Sequence, residues 1–435
     1  MKSTNMSRNY QYLEFIRYAL NPKGNMPKDV ATMDWEGFFQ FADAQGILGL
    51  MFDGRGKMDD GREKGEDGFV DDLTLEWGFV AQQIEEQNKA VNVAAVKLLK
   101  SLKEQGVDGC ILKGQGNSLL YPKPYRRTPG DIDVWVKCDG RWKMDDGRGM
   151  MDDGRGMMDD VRGKRDDVRG KRDDGRRVIR FVKGRNPEGR AVYHHIDGGE
   201  IDGVEVEVHY RPSFMNNLIH NRRLQKWFEQ KAPEQFRHWV ELPHTDNTDH
   251  TDFEICVPTW EFNVAFLLSH IYRHLMQEGI GLRQVIDYYY VLMSDGRWKK
   301  DDVSDVLRHL TSSTSVATRQ CVNEFPLHSL LRRLGLWKIA GAVMWVLNEV
   351  LGLEEKYLIA PKNERLGKVL LAEILNGGNF GQYDSDGRRK MEEGRVKKNW
   401  LRIRRDIRMM RYFPSECLWE PVFRVYHFFW RQRYN

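Results

Sequence analysis

The sequence predicts an α+β fold, in which a small mixed sheet with flanking helices lies between helical N-terminal and C-terminal regions. Two short segments, at 131–136 and 203–210, alternate between apolar and polar residues, as half-buried strands do. Long segments before and after them carry apolar residues at spacings of three and four, which is typical of amphipathic helices. With 435 residues, the chain is long enough for two or three domains.

This pattern divides the chain into three predicted regions. Residues 1–95 form a helical N-terminal region, residues 96–215 contain the sheet, and residues 216–435 form a mainly helical C-terminal domain. The individual helices are predicted at 8–52, 70–106, 221–231, 260–272, 282–292, 327–353 and 365–375. Further strands are predicted at 178–182 and 191–196, with a turn at Gly198-Gly199.

Four polar inserts interrupt these regions, at 53–68, 139–177, 295–302 and 386–395. They share one repeated word, in the forms DGRGKMDDGR, DGRWKMDDGR, DGRWKKDD and DGRRKMEEGR. The longest insert repeats every seven residues, but it lacks the apolar a and d positions that a coiled coil requires. Such segments bury too little apolar surface to offset their ordering entropy, so we predict mobile surface loops.

Composition and charge exclude several classes of protein. The net charge of +4 is small for this length and does not indicate a nucleic-acid-binding protein. Five scattered cysteines without a CxxC spacing argue against a zinc site and against a disulfide framework. The first residues show no signal segment, and no apolar run approaches the roughly twenty residues that span a bilayer. We therefore expect a cytoplasmic protein without a transmembrane segment.

An aspartate pair opens the first alternating segment. Because residues two apart on a strand point to the same side, Asp131 and Asp133 lie side by side while Ile132 and Val134 face the core. Adjacent carboxylates repel each other unless a positive charge lies between them, and Mg²⁺ is usually held by one or two carboxylates together with substrate phosphates. The pair therefore indicates a divalent-metal site, and the alternative is a surface pair at a strand end.

A lysine and two glycines precede this pair: Lys113, Gly114 and Gly116. Glycines let backbone N–H groups approach a phosphate closely, here at a predicted helix N-terminus. A third carboxylate lies in the second alternating segment, where either Glu205 or Glu207 would complete a two-metal site. A phosphate-binding turn followed by carboxylates on strands predicts metal-assisted nucleotidyl transfer, whereas the alternative for the glutamates is a solvated strand face.

Together these motifs resemble the nucleotidyltransferase superfamily of DNA polymerase β type, and within it a bacterial, uncharacterised nucleotidyltransferase family. The residues that carry the resemblance are Lys113-Gly114, Tyr121-Pro122, Arg127, Gly130-Asp131-Ile132-Asp133, Glu207-Val208-His209, Leu268-Ser269-His270, His274, Gly281-Leu282-Arg283 and Asp287. One departure concerns the Gly-Ser of the wider superfamily, for which the nearest match here is Gly116-Asn117 or Gln115-Gly116.

The resemblance implies an enzyme that moves a nucleoside monophosphate from a nucleoside triphosphate, ATP included, to an acceptor hydroxyl with release of pyrophosphate. Asp131 and Asp133 would bind two Mg²⁺ (or Mn²⁺) ions, and Glu207, or Glu205 in its place, would bind the metal nearer the nucleophile.

Four residues would contact the nucleotide: Lys113, Gly114 and Gly116 would hold the triphosphate, and Arg127 would neutralise the leaving pyrophosphate. The acceptor is left open between a small molecule, a protein and an RNA. Two alternatives remain at this point, a catalytically silent binding protein with the same fold and a toxin- or antitoxin-like module.

Two further segments carry chemistry. His194 and His195 lie on a predicted strand, where a structural role is favoured over that of a general base. Near the C-terminus, arginines alternate with apolar residues such as Trp400, Ile403 and Ile407, which predicts an amphipathic helix with a solvated basic face. Contact with RNA or a membrane surface is the alternative there. The aromatic tail that follows, at 419–430, is predicted to pack back on the domain.

Overall fold

The computed structural model describes residues 2–21, 26–28, 30–59, 72–138, 175–243, 253–294, 327–378 and 395–435. Of the four inserts, residues 60–68, 139–174, 295–302 and 386–394 lie outside these ranges, so the loops predicted there are not described. Residues 53–59 of the first insert continue a helix instead of opening a loop.

Four helices build the N-terminal part: α1 (Lys2–Leu20), α2 (Trp35–Gln45), α3 (Leu48–Asp59) and α4 (Asp72–Glu104). The side chain of Asp34 caps α2 by accepting the N–H of Gly37 at 2.9 Å, and Gly46 ends that helix in a left-handed conformation. Phe15, Phe38 and Trp77 bring α1, α2 and α4 together in one buried aromatic cluster. The helix predicted at 70–106 is therefore present as α4, whereas the helix predicted at 8–52 is divided among α1, α2 and the start of α3.

A four-stranded mixed sheet follows, made of β1 (Val107–Ile111), β2 (Ile132–Cys138), β3 (His195–Ile201) and β4 (Val204–His209). The strand order is β1-β2-β4-β3, and β2 and β4 run parallel while the other pairs are antiparallel. The predicted α+β class with a small mixed sheet and flanking helices is confirmed. The parallel pair places Asp133 opposite Glu207.

The strand predicted at 178–182 is wrong, because residues 175–183 form a helix. Val178, Ile179, Phe181 and Val182 are buried against the sheet and Arg180 is exposed. That spacing also fits one face of a helix, so a short apolar run rich in β-branched residues does not separate the two structures.

The strand predicted at 191–196 is displaced, since β3 begins only at His195 and continues through the glycine pair. Gly198-Gly199 is therefore not a turn. The register of β3 against β4 shifts between Asp197 and Glu200, which marks a β-bulge, and Gly199 adopts φ +84° there. The turn lies at Asp202-Gly203, where both residues have positive φ.

Between the sheet and the C-terminal helices lie several short elements. They are α5 (Gln115–Ser118), α6 (Leu218–Gln235) and a two-stranded antiparallel sheet of β5 (Trp239–Glu241) and β6 (Glu254–Cys256).

The C-terminal part is helical, as predicted. Its helices are α7 (Trp260–Gln277), α8 (Leu282–Met293), α9 (Leu327–Arg333), α10 (Trp337–Trp345), α11 (Glu364–Gly377), α12 (Arg395–Met410) and α13 (Pro414–Tyr434). Helices α7 and α8 are buried along almost their whole lengths, and α7 packs on the sheet where Phe262 stacks on Trp135 at 5.6 Å between ring centroids. Within the described ranges, no helix combines the length and apolar character needed to cross a membrane.

Candidate active site

The sheet contributes a buried carboxylate to a pocket between β2 and helices α7 and α8. Asp133 lies on β2, and the Lys113 ammonium, just after β1, is 2.7 Å from its Oδ1. The backbone brings the two residues together, since the N–H of Leu112 donates to the carbonyl of Asp133 at 2.9 Å. Burial opposes ionisation of Asp133, but Lys113 and the hydrogen bond from His209 hold the pKa of this carboxyl well below its usual range.

His209 joins Asp133 to the second strand carboxylate. Its Nε2 lies 2.8 Å from Asp133 Oδ1 and 3.3 Å from Glu207 Oε2. Burial lowers the pKa of His209, but these two carboxylates outweigh it and raise the pKa overall. The same contact lowers the pKa of Glu207, although burial acts in the opposite direction. Asp133, Glu207 and His209 thus offer ligand atoms that all lie within 4.8 Å of one another.

Asp131 immediately precedes β2 and lies at the exposed rim of the same pocket. The negative charge of Asp133 is the main reason why the pKa of Asp131 is raised to about 6, and partial removal from water adds to it. The aspartate pair predicted from strand alternation therefore consists of one buried, firmly ionised member and one outer member that ionises near neutral pH.

The two candidate glutamates on β4 have different surroundings. Glu207 lies beside Asp133 in the parallel ladder and is half-buried. Glu205 is exposed and lies opposite Glu200 in the antiparallel β3–β4 pair. Among the described residues, Glu207 shares metal-ligand spacing with Asp133 and His209, whereas neither Glu205 nor Asp131 belongs to such a group.

The two predicted phosphate-binding glycines also differ. Gly114 lines the pocket and adopts φ +55° and ψ −106°, a conformation that side-chain-bearing residues rarely adopt. Gly116 lies within the short helix α5, where its N–H donates to the carbonyl of Lys113 at 3.2 Å. A Cβ added at Gly116 would lie 3.0 Å from Val257 Cγ1, so this glycine permits close packing against the segment after β6.

Arg127 and Asp287 meet on the helical side of the pocket. Arg127 donates from Nε and Nη2 to the two oxygens of Asp287, each at 2.8 Å, and both side chains are buried. The hydroxyl of Tyr121 donates to Asp287 Oδ1 at 2.7 Å. Burial disfavours the charge of Arg127, but Asp287 more than compensates and raises its pKa. The Tyr, Arg and Asp of the sequence motifs thus form one buried network that joins the segment before β2 to α8.

Arg283 adds a second guanidinium to the helical wall. Its Nη1 donates to the carbonyls of Thr128 and Pro129, at 3.3 and 3.1 Å, directly before the aspartate pair. Burial, with Arg127 close by, lowers the pKa of Arg283 to about 10, so the group stays charged at neutral pH. His270 on α7 completes this wall. Arg283 and Asp287 lie four residues apart on α8, but the partner of Asp287 is Arg127, a pairing that the sequence analysis did not anticipate.

A histidine cluster lies at the Glu207 end of the site. The Nδ1 of His195 is 3.1 Å from Glu207 Oε2, and His194, His195 and His209 lie close enough together to form a second possible ligand group. Burial lowers the pKa of His195 to about 4, so this ring is neutral at neutral pH. Arg273 on α7 reaches His194 at 3.2 Å, a contact that sequence reasoning missed. The sequence held one indication of this contact: Arg273 lies three residues after His270 and therefore on the same face of α7.

This donor set fits a divalent metal. Hard ions such as Mg²⁺ and Mn²⁺ prefer oxygen ligands; Asp131 and Asp133 supply carboxylates to the pocket, and Glu207 supplies one within ligand distance of Asp133. Lys113, Arg127 and Arg283 bring positive charge to its walls, which suits a polyphosphate. The geometry is therefore suited to binding a metal-bound nucleotide.

Comparison with known proteins supports this interpretation. The profile of one protein family, described as an uncharacterised nucleotidyltransferase, matches residues 31–318, which is more than half of the chain. Comparisons with curated proteins and with solved structures gave no match. The matched range contains every predicted site residue, from Lys113 to Glu207, and also Arg283 and Asp287. The chain therefore belongs to this family of uncharacterised nucleotidyltransferases.

Proposed function

We propose that this protein transfers a nucleoside monophosphate from a nucleoside triphosphate to an acceptor hydroxyl, with release of pyrophosphate. One observation carries the proposal. The parallel β2–β4 pair sets Glu207 beside Asp133, while Asp131 lies on the same strand segment at the rim of a pocket that Lys113 also lines. A lysine-paired carboxylate with two further carboxylates near it is an arrangement that a metal–triphosphate complex can use, and family membership supports nucleotidyl transfer in general.

The metal would be held by the carboxylates of Asp131, Asp133 and Glu207, with Glu205 too exposed and too far along the strand to be our choice. When bound, Mg²⁺ or Mn²⁺ stabilises negative charge on the attacking and leaving oxygens of an in-line displacement. The low pKa of Asp133 keeps one ligand ionised at any physiological pH.

Positive groups on both walls would hold the triphosphate. Lys113 lies closest to the carboxylates, and the conformation of Gly114 lets the chain turn tightly at the pocket. Arg283 would face the phosphates from α8, because its guanidinium is already held beside the Thr128–Pro129 backbone. Arg127 lines the same side of the pocket, but Asp287 balances its charge. We therefore assign Arg127 mainly to holding α8 in place through Asp287, and only secondarily to binding the pyrophosphate.

Glu207 is the group that we assign to the acceptor. Its carboxylate is ionised at neutral pH, and the neutral ring of His195 lies 3.1 Å from Oε2. We propose that this carboxylate accepts the hydrogen bond of the attacking hydroxyl and that His195 fixes its orientation. The acceptor itself is a small molecule, a protein or an RNA end.

Labelled nucleotides test this function directly. The purified protein is incubated with each α-labelled nucleoside triphosphate and Mg²⁺ or Mn²⁺, and a cell extract serves as the pool of acceptors. We expect wild-type protein and Glu205→Gln to transfer label, and Asp131→Asn and Asp133→Asn to lose transfer. The labelled species identifies the acceptor class. Absence of both transfer and metal-dependent nucleotide binding would refute the proposal and favour a catalytically silent binding protein.

A further inference from the structure

The last helix, α13, buries two carboxylates beside Cys417 and Phe423 and exposes a stripe of apolar side chains. The carboxylates of Glu416 and Glu420 are buried against the protein. Leu418, Val425 and Phe429 point away from it, with 61%, 60% and 65% of their surface exposed. A surface helix of a globular protein normally buries its apolar stripe and exposes its charges. The outer face of α13 is therefore apolar.

The preceding helix, α12, repeats this arrangement. Trp400, Ile403 and Ile407 lie at spacings of three and four and are all more than half exposed, with Ile407 at 68%. Asp406 and Met409 are instead buried. The amphipathic helix predicted here from sequence is present, but it is the apolar stripe, and not only the basic face, that contacts solvent. The aromatic tail packs back on the domain only in part.

Polar contacts on the inner side hold the two helices in this orientation. Arg402 of α12 is 3.0 Å from Glu420 of α13, which also accepts from Arg424 at 2.6 Å. Glu416 accepts the backbone N–H groups of Asn216 and Asn217, at 2.6 and 3.3 Å, before α6. Rotating either helix to bury its apolar stripe would break these contacts. The apolar surface is therefore a stable feature of the fold.

The charge of this surface is of one sign. The acidic residues of segment 395–435 are Asp406, Glu416 and Glu420, and all three are buried. Exposed arginines flank the apolar stripes, namely Arg404, Arg411, Arg431 and Arg433, whereas the exposed Arg408 is paired with Glu373 of α11 at 2.7 Å. The outer side of the α12–α13 hairpin thus combines aliphatic and aromatic side chains with positive charge alone.

We propose that the α12–α13 hairpin docks on the surface of an anionic lipid bilayer. In-plane amphipathic helices insert their apolar side chains at the boundary of headgroups and acyl chains, while lysine and arginine contact anionic headgroups. Trp400 and Tyr426 suit this interface, where aromatic residues are enriched.

The composition disfavours the other occupants. RNA is bound by stacking on aromatic rings and by contacts to phosphate, so Ile403, Ile407, Leu418 and Val425 would have no role. A symmetric dimer through this face would bring the two sets of arginines together, and like charges at an interface repel each other. A bilayer with anionic headgroups satisfies both the apolar stripes and the positive charge.

Co-sedimentation with vesicles tests the proposal on the full-length protein. The probes are vesicles of phosphatidylcholine alone and vesicles of equal parts phosphatidylcholine and phosphatidylglycerol. We expect binding to the second kind only, weakened by added salt. Replacing Arg404→Gln and Arg411→Gln together should weaken binding by roughly twenty-five-fold, at about fivefold per arginine. Replacing Ile407→Ser and Phe429→Ser should weaken it by at least about tenfold.

A matched control comes from α4, where Leu75 and Phe79 are 60% and 61% exposed beside acidic neighbours. The pair Leu75→Ser and Phe79→Ser should leave vesicle binding unchanged. The proposal would be overturned if the protein bound both kinds of vesicle equally or bound neither. It would also be overturned if the Leu75→Ser/Phe79→Ser control lost as much vesicle binding as the Ile407→Ser/Phe429→Ser variant. It would also be overturned if the Ile407→Ser/Phe429→Ser variant lost binding to homopolymeric RNA or self-association in analytical ultracentrifugation, with no change in vesicle binding.

Discussion

The two walls of the candidate active site use charged residues in opposite ways. On the sheet side of the site, the carboxylates of Asp131, Asp133 and Glu207 outnumber the two basic groups beside them, Lys113 on Asp133 and His209 on Asp133 and Glu207. On the helical wall, Asp287 is matched by Arg127 through two hydrogen bonds of 2.8 Å. An excess of negative charge favours the binding of a metal ion, whereas a neutral buried ion pair fixes the segment before β2 to α8. The difference separates residues assigned to chemistry from residues assigned to the fold.

The contacts of single oxygen atoms sharpen this difference. Both oxygens of Asp287 accept hydrogen bonds, and Tyr121 adds a third donor. Within the described part of the chain, Lys113 and His209 both contact Oδ1 of Asp133, which leaves Oδ2 for a ligand. Two buried aspartates at one pocket therefore differ in their remaining capacity to bind.

The largest expected effect is loss of activity in Asp133→Asn. The amide removes a metal-binding charge but retains the shape of the side chain and an oxygen that accepts from Lys113. Nucleotidyl transfer should fall on the order of a thousandfold, comparable with removal of a key group that stabilises transition-state charge. The midpoint of thermal unfolding should fall less than in Asp287→Asn, because the amide oxygen can still accept from Lys113 and His209. Transfer near the wild-type rate would contradict the assignment of Asp133 to chemistry.

Asp287→Asn should have the reverse effect and mainly reduce stability. The variant leaves the Arg127 guanidinium buried without its counter-charge, which typically costs about 3 kcal/mol or more. Urea unfolding of the purified protein measures the change in free energy. The double variant Arg127→Gln/Asp287→Asn is the control, and it should be less destabilised than the sum of the single variants. Strict additivity would show that the two side chains do not act as a pair.

Sequence reasoning predicted the sheet wall better than the helical wall, for a physical reason. Alternation along one strand places Asp131 and Asp133 on the same side without knowledge of the rest of the fold. The Arg127–Asp287 pair joins residues 160 positions apart, and nothing local specifies that contact. The i,i+4 pair of Arg283 and Asp287 was the local alternative, and Asp287 instead takes two hydrogen bonds from Arg127.

Choosing between Glu205 and Glu207 also required tertiary information. The two residues lie on the same side of β4 by alternation, and only the pairing of β4 with β2 separates them. The helix at 175–183 also could not be identified from local sequence, because its apolar residues fit a strand or one face of a helix equally well. Only their packing against the sheet distinguishes the two. Local patterns thus gave the candidate site residues, and the strand register shows which of them lie side by side.

The variants Glu207→Gln and Glu205→Gln together test which glutamate of β4 belongs to the active site. Glu207 lies beside Asp133 and is held by His195 and His209, whereas Glu205 is exposed near the β3–β4 turn. Transfer should fall by about tenfold to a hundredfold in Glu207→Gln, the range found for groups that orient or complete a metal site. Glu205→Gln should remain close to wild type in the same labelled-nucleotide assay. A larger loss in Glu205→Gln would exchange their roles.

The smallest expected effect is a pH dependence that originates in Asp131. Its pKa is raised to about 6, mainly by the negative charge of Asp133, so the carboxyl becomes protonated as the pH falls through that value. A protonated carboxyl is a poor metal ligand, and the apparent affinity for Mn²⁺ should therefore fall about tenfold between about pH 7 and about pH 5. Metal titration by calorimetry measures this slope, and Asp131→Asn is the matched control. That variant should bind Mn²⁺ more weakly at pH 7 and show a shallower slope, since Asp133 on the same wall stays ionised throughout. If the pH dependence of Mn²⁺ affinity were unchanged in Asp131→Asn, another group would be the one that titrates. The proposed difference between Asp131 and Asp133 would then be wrong.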